Sequence, residues 1–376
     1  MISAQSNRIS RIPVGLGLIG LAFCLYRLEA DPREFFRGYL PACLFWAGIP
    51  LGSLALLMIH QLTAGAWGLF IRAVLQASAA TLPLIVVFFL PLGFGLPYIY
   101  PWVTPEPSLA EVVRKKATYL NLPFFETRTA IVFLVWIGLA GAMRVWSAEP
   151  REDSDNGAGR RLRARSAAGL ILYGLTVTVF GIDWIMSLEP RWSSTNFGFL
   201  MMVSPMVGAL TFAVIMTCTL ALKGEIAQRP GNEIASRLQD LGNLLLAGVM
   251  LWSYLEFQQY LAIWYENLPD KIAWYLRRNG NGWEWVTWVM ALCYGAVPFL
   301  MLLSRRVKRD PKLLRAVAAL VLAGNLINVY WLTVPPYYPH PAEFPWPDLV
   351  PFVGVGAPWL TAFLWLLGRL RLGAGR

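Results

Sequence analysis

Charge is scarce in this chain. Only 14% of its 376 residues are Asp, Glu, Lys or Arg, against about 25% in ordinary soluble domains. That excludes a water-exposed globular surface over most of its length. Histidine is rarer still, with His60 and His340 alone. Alternating loops place these two at opposite faces of a bilayer, so they cannot clamp one b-type haem between them. The four cysteines, Cys24, Cys43, Cys218 and Cys293, stand singly in apolar runs. No CxxC or CxxCH occurs, which argues against zinc ribbons, iron–sulfur ligation and covalently attached haem. Long polar stretches are lacking as well, so no separate soluble domain fits. No N-terminal stretch reads as a cleaved signal peptide.

What is abundant is apolar. Hydrophobic residues make up 57% and the mean hydropathy is +0.51. A spanning helix needs about 20 apolar residues. Ten such runs are expected: 12–27, 38–63, 73–100, 123–146, 166–188, 197–222, 241–263, 284–304, 313–334 and 350–368. The first is the shortest. Lipid tolerates no irregular exposed backbone, so the expected fold is an all-α polytopic membrane protein. Most of the 32 Lys and Arg fall on the face that carries both termini. The positive-inside rule makes that face cytoplasmic. "RRLRAR" (160–165) and "SRRVKR" (304–309) then read as topology anchors, and the net charge of +10 does not call for nucleic acid.

Residues 1–11 and 149–165 read as polar connecting segments. Two outer loops share a plan. In 101–122, a Pro-rich opening leads into "LAEVVRKKATYL", the pattern of a short surface helix. In 264–283, "WYENLPDKIAWYLRRNGNG" has a Pro–acid step and then an aromatic, basic run. The loops lie four spans apart, an even offset. Any repeat is therefore parallel, with spans 2–5 (38–188) and 6–9 (197–334) as two four-helix bundles inside one transmembrane domain. A last outer loop, 334–348, is Pro-rich and aromatic. It fits an interfacial belt or a platform for an extramembrane partner.

Ionisable groups inside a span cost about 2.5–3.5 kcal/mol on insertion scales and normally face a partner or water. Asp183 shares a helical face with Thr176 and Ser187. It is either a protonatable site or a buried structural acid. Glu256 shares a face with Gln259 and Tyr260, with Trp252 one turn earlier. An acid beside an amide and a phenol can hold or pass a proton. Glu126 and Arg128 open the fourth span, and Arg128 can be counter-ion to Asp183 or Glu256, or lie at headgroup level. His60 ends the second span, placed either for proton entry or to bond Thr63 or a loop carbonyl. Asn325 and Asn328 share a face and suit helix–helix contact. Asp183, Glu256 and Arg128 fall in the outer half, His60 and Asn243 in the inner half. Two half-channels would look like this, and so would a bundle held together by polar contacts.

Three stretches carry a resemblance: "YLNLPFFETR" (119–128), "DWIMSLEPRWSSTNFG" (183–198) and "YLEFQQYLAIWYENLPD" (254–270). They resemble signatures of the polytopic NrfD-like subunits of bacterial alternative complex III, a quinol-oxidising complex of the respiratory chain. "HQLTAGAWGLFIRAVLQASAATLPL" (60–84) and the short chain are more similar to the ActF-type than to the ActC-type subunit. The likeness covers roughly residues 38–340. Ala64–Gly65 departs from the paired glycine usual after the second span.

The resemblance implies ten helices, with two four-helix bundles and flanking helices. It implies a bacterial cytoplasmic-membrane location with an ActC-type paralogue, an iron–sulfur subunit, haem c subunits, small membrane subunits and lipids as partners. Haem c and iron–sulfur clusters then belong to those partners, with quinone or menaquinone as the substrate pool. For this subunit it implies a proton path, with candidates His60, Asp183, Glu256, Gln259 and Tyr260 and charge partners Arg128 and Glu126, together with a quinone-facing surface. Glu189 and Arg191 are expected to fix the outer turn, Pro190 to break the helix, and Ser or Thr in "RWSSTNFG" to cap the next one. Two other classes compete. A secondary transporter would need discontinuous helices, for which "FFLPLGFGLP" (88–97) is the best stretch. A pure scaffold would use the buried charges only to lock helices.

Overall fold

The computed structural model describes residues 22–146, 157–224, 231–343 and 349–373, with scattered positions between 15 and 20. Among the described residues there is no strand, and eight helices are long and apolar enough to cross a membrane. The protein is an all-α polytopic membrane protein. Of the expected first span, 12–27, residues 22–27 lie on a described helix, and the rest is described only at scattered positions. The expected seventh, 241–263, is a helix of 36 residues, Gly231–Glu266, that falls outside those eight.

The helices in chain order are α1 (22–30), α2 (Pro32–Thr63), α3 (Ala66–Ile99), α4 (Pro107–Lys115), α5 (Leu122–Trp146), α6 (Gly157–Trp184), α7 (Phe197–Leu222), α8 (Gly231–Glu266), α9 (Pro269–Arg278), α10 (Trp283–Leu303), α11 (Arg305–Arg309), α12 (Pro311–Thr333) and α13 (Val350–Gly373). α2 begins by rule. Asp31 caps it by accepting from the Glu34 amide at 3.1 Å, and Pro32 sits in its first turn, where a missing N–H costs nothing.

α2 and α7 form the centre. The apolar window of α2 is 83% buried and that of α5 only 28%. A helix that is apolar on all sides belongs inside, and one with an apolar outer face belongs against lipid. α2 packs on α3, α6, α7 and α13, and α7 on α2, α6, α8 and α12. The two central helices come close because Gly52 leaves room: a Cβ there would overlap the Pro205 carbonyl.

Several boundaries differ from those expected. The connection after α2 is only Ala64–Gly65, so α3 starts at Ala66 and not at residue 73. α3 is interrupted at Ala80–Thr81, where Thr81 Oγ1 donates to the Ser78 carbonyl and accepts from Trp359 Nε1. Beyond that break it continues through Pro91 and Pro97, so 88–97 is continuous helix. "RRLRAR" lies on α6, which begins at Gly157, so much of the expected polar connector is helical. α7 begins at Phe197 with Asn196 at the cap position and no side-chain capping bond. The Ser/Thr cap does not form, because Ser194 is used elsewhere. α10 contains a π-helical turn at Ala291–Ala296, which nothing in the periodicity signals. The two short loop helices exist, as α4 and α9.

Candidate functional site

Most of the predicted polar residues collect at one end of the bundle, the end that carries α4, α9 and the 185–196 turn. Asp183 sits in the last turn of α6, 1% exposed. Arg128, in the second turn of α5, reaches it with two parallel bonds. Nε donates to Oδ2 and Nη2 to Oδ1, each at 2.9 Å. Such a fork gives direction as well as charge pairing. Arg128 Nη1 also donates to the Tyr119 carbonyl at 3.1 Å, and the guanidinium lies over the Tyr119 and Phe124 rings at 3.8 and 4.2 Å. Arg128 is thus the counter-ion of Asp183. Ser187 donates to the Asp183 backbone carbonyl, and Thr176 accepts from Trp136 Nε1, so neither hydroxyl extends the carboxylate into a chain.

Glu126 does not join this pair. Two residues before Arg128 it points about 200° away around the helix, and it is exposed. It lines a cleft of about 390 Å³ between α3 and α5, with Phe89, Leu96, Phe125, Phe133 and Trp184 among the walls. Two hydrogen-bonding atoms of that wall, Thr129 Oγ1 and Trp184 Nε1, are buried without a partner.

The turn after α6 is a clamp. Glu189 accepts from Arg277 Nη1 at 2.9 Å and from Arg278 Nη1 at 2.8 Å. Arg191 donates to the Ser108 carbonyl and Lys116 Nζ to the Pro190 carbonyl, at 2.7 and 2.6 Å. One turn therefore ties α9 to the segment around α4. Arg278 is fully buried and stacks on Trp274 at 3.7 Å. Its Nε and Nη2 donate to the carbonyls of Trp331 and Leu332, both at 3.0 Å. Burial pulls its pKa down to about 10, with Glu189 acting against that pull, so it stays charged at neutral pH. Burial likewise lowers Lys116.

Beside this clamp stands Glu256 on α8. It is half-buried, and among the described residues no hydrogen bond or ion pair holds its carboxylate. Gln259, one turn on and 1% exposed, accepts from Ser194 Oγ at 3.0 Å and faces the Tyr275 hydroxyl at 3.5 Å. Tyr260 is 40% exposed, with its ring edge-on to Tyr275 at 5.2 Å. Trp252 stacks on Tyr294 of the π turn at 3.8 Å. Glu256, Gln259 and Tyr275 therefore form one polar patch, with Tyr260 on its rim.

His60 is far from these groups in the chain and serves the connection after α2. Its Nε2 pairs with the Gly65 carbonyl at 3.0 Å, and its ring meets Trp67 edge-on. It is 1% exposed. This is the loop-carbonyl role among the two the sequence allowed. Ala64 takes φ 51°, the left-handed conformation that glycine adopts without strain. Asn243, also expected in the inner half, accepts from Lys308 Nζ at 2.7 Å.

Sequence reasoning missed Arg278 and Tyr275. "WYLRR" reads as an interfacial basic run, and only the Pro269 helix start and the 3.6 period put Tyr275 and Arg278 on its inner face. Among the described residues no group of three or more His, Cys, Asp or Glu could hold a metal ion. No protein-family model matches the chain, and no curated protein matches it either.

Proposed function

We propose that this chain is an integral membrane subunit of a quinol:electron-acceptor oxidoreductase of the alternative complex III type. In it the chain contributes a proton path and a quinone-facing surface and carries no redox centre of its own. One observation carries the reading. The three stretches that resemble that family are spread over 119–128, 183–198 and 254–270, yet they meet in one layer. Arg128 binds Asp183, Ser194 binds Gln259, and Asn196 Nδ2 donates to the Leu255 carbonyl at 2.9 Å.

The chemistry of quinol oxidation releases two protons for each two electrons. Glu256 has an unpaired carboxylate beside a buried amide and a phenol, which suits it to accept and pass on a proton. Asp183 is tied to Arg128 and supports the layer. The apolar cleft beside Trp184 suits a quinone head ring, with two unpaired polar atoms to meet its oxygens. ActC-type, iron–sulfur and haem c subunits would be the partners, and the bacterial cytoplasmic membrane the location, with both termini inside. The transporter alternative loses its best support, since 88–97 is unbroken helix.

The test is purification of the tagged chain in mild detergent, with haem c spectra and mass spectrometry of what accompanies it. Co-purifying multihaem and iron–sulfur subunits with quinol oxidation are expected. A lone, colourless protein would sink the proposal.

A further inference from the structure

Asn325 and Asn328 lie on one face of α12, and their surroundings differ. Asn325 Nδ2 donates to Ser204 Oγ at 3.0 Å and to the Tyr294 hydroxyl at 2.9 Å, a helix-to-helix contact of the expected kind. Asn328 is 1% exposed, yet neither its Nδ2 nor its Oδ1 has a partner. A buried amide with nothing to bond is a costly group to keep.

Asn328 lines a cavity. The cavity, of about 60 Å³, lies between α2, α6, α7 and α12, walled by Gly48, Leu51, Met201, Ser204, Pro205 and Asn325 among others. Its wall is polar in more than one place. Pro205 lacks the N–H that would reach the Met201 carbonyl one turn back in α7. Apolar cavities stay dry, but polar ones with unpaired groups and enough room hold water.

We propose that this cavity is a permanent internal hydration site holding about two to four water molecules. They accept from Asn328 Nδ2, donate to Asn328 Oδ1 and the Met201 carbonyl, and so join α12 to α7 at the centre of the bundle. The site stands whatever the function of the protein, since it rests on the unpaired amide and the cavity alone.

Radiolytic hydroxyl-radical labelling of the full chain in detergent, read by mass spectrometry, tests it. Radiolysis of water held beside a side chain yields hydroxyl radical that oxidises it even where bulk solvent cannot reach. Met201 lines the cavity and is 7% exposed, whereas Met58 on the neighbouring α2 is fully buried and does not line it. Met201 is expected to oxidise several-fold faster than Met58. In Asn328→Leu, which removes both amide groups, Met201 should fall to the Met58 level. Equal labelling of the two methionines in the wild-type chain overturns the proposal without any variant. Undiminished Met201 labelling in a folded Asn328→Leu chain overturns it too, because water would then be there without Asn328.

Discussion

Asp183 and Glu256 are both carboxylates inside long helices at the same end of the bundle, and the fold treats them in opposite ways. Asp183 is sealed: two bonds to Arg128, two aromatic rings over the guanidinium, almost no exposed surface. Glu256 is half-buried, with no bond to its oxygens among the described residues and a buried arginine, Arg278, committed to Glu189 and three carbonyls. A charge held by a fork cannot change without breaking the layer. A charge left unheld can. Location in a span thus does not say whether an acid is structural or chemical; the number of donors around it does.

The comparison is broken most severely at the sealed pair. Asp183→Asn leaves Arg128 buried without its counter-charge, and the expected loss is about 3–5 kcal/mol, read as a fall in thermal stability in detergent. Replacing both partners, as Asp183→Leu with Arg128→Met, should recover most of that loss, because no charge remains buried. A double variant as unstable as the single one would show that the pair matters through something other than its charges.

The clamp at Glu189 comes next. Glu189→Gln removes the carboxylate bonded to Arg278, which keeps its three carbonyl partners, Trp274, Trp331 and Leu332. A loss of about 1–3 kcal/mol is expected. Limited proteolysis near α9 should report it, since that helix is tied to the turn through Arg277 and Arg278.

How much of this was legible beforehand is clearest at Arg128. Two acids were open to it, Asp183 and Glu256. The choice depends on how α5 and α6 are rotated against each other, which no local pattern encodes. Glu126 illustrates the opposite case. Its spacing of two from Arg128 already sends it to the other side of a helix. The spans themselves were readable because lipid demands long apolar runs, and α4 and α9 because Pro starts and amphipathic patterns mark them. The π turn in α10 and the break at Ala80–Thr81 were not, since both follow from packing against neighbours. The expected Ser/Thr cap of α7 failed because tertiary contact outbid local capping: Ser194 serves Gln259.

The smallest effect is at the opposite, His60 end, where the chain is strained without any charge at stake. Ala64 stands in the left-handed region, so Ala64→Gly should raise stability by up to about 1 kcal/mol. Unchanged or lowered stability would mean that the turn at Gly65 and His60 already absorbs the strain.

The central claim concerns which acid works, and one pair of variants decides it. Glu256→Gln and Asp183→Asn are compared in the complex proposed above, for assembly first and then for quinol turnover per assembled complex. The account predicts that Glu256→Gln assembles at the wild-type level, since among the described residues no hydrogen bond or ion pair holds its carboxylate, and has lost most of its turnover. Asp183→Asn is predicted to lose assembly itself. Full turnover in an assembled Glu256→Gln complex would contradict the account, and would leave the unheld carboxylate a bystander.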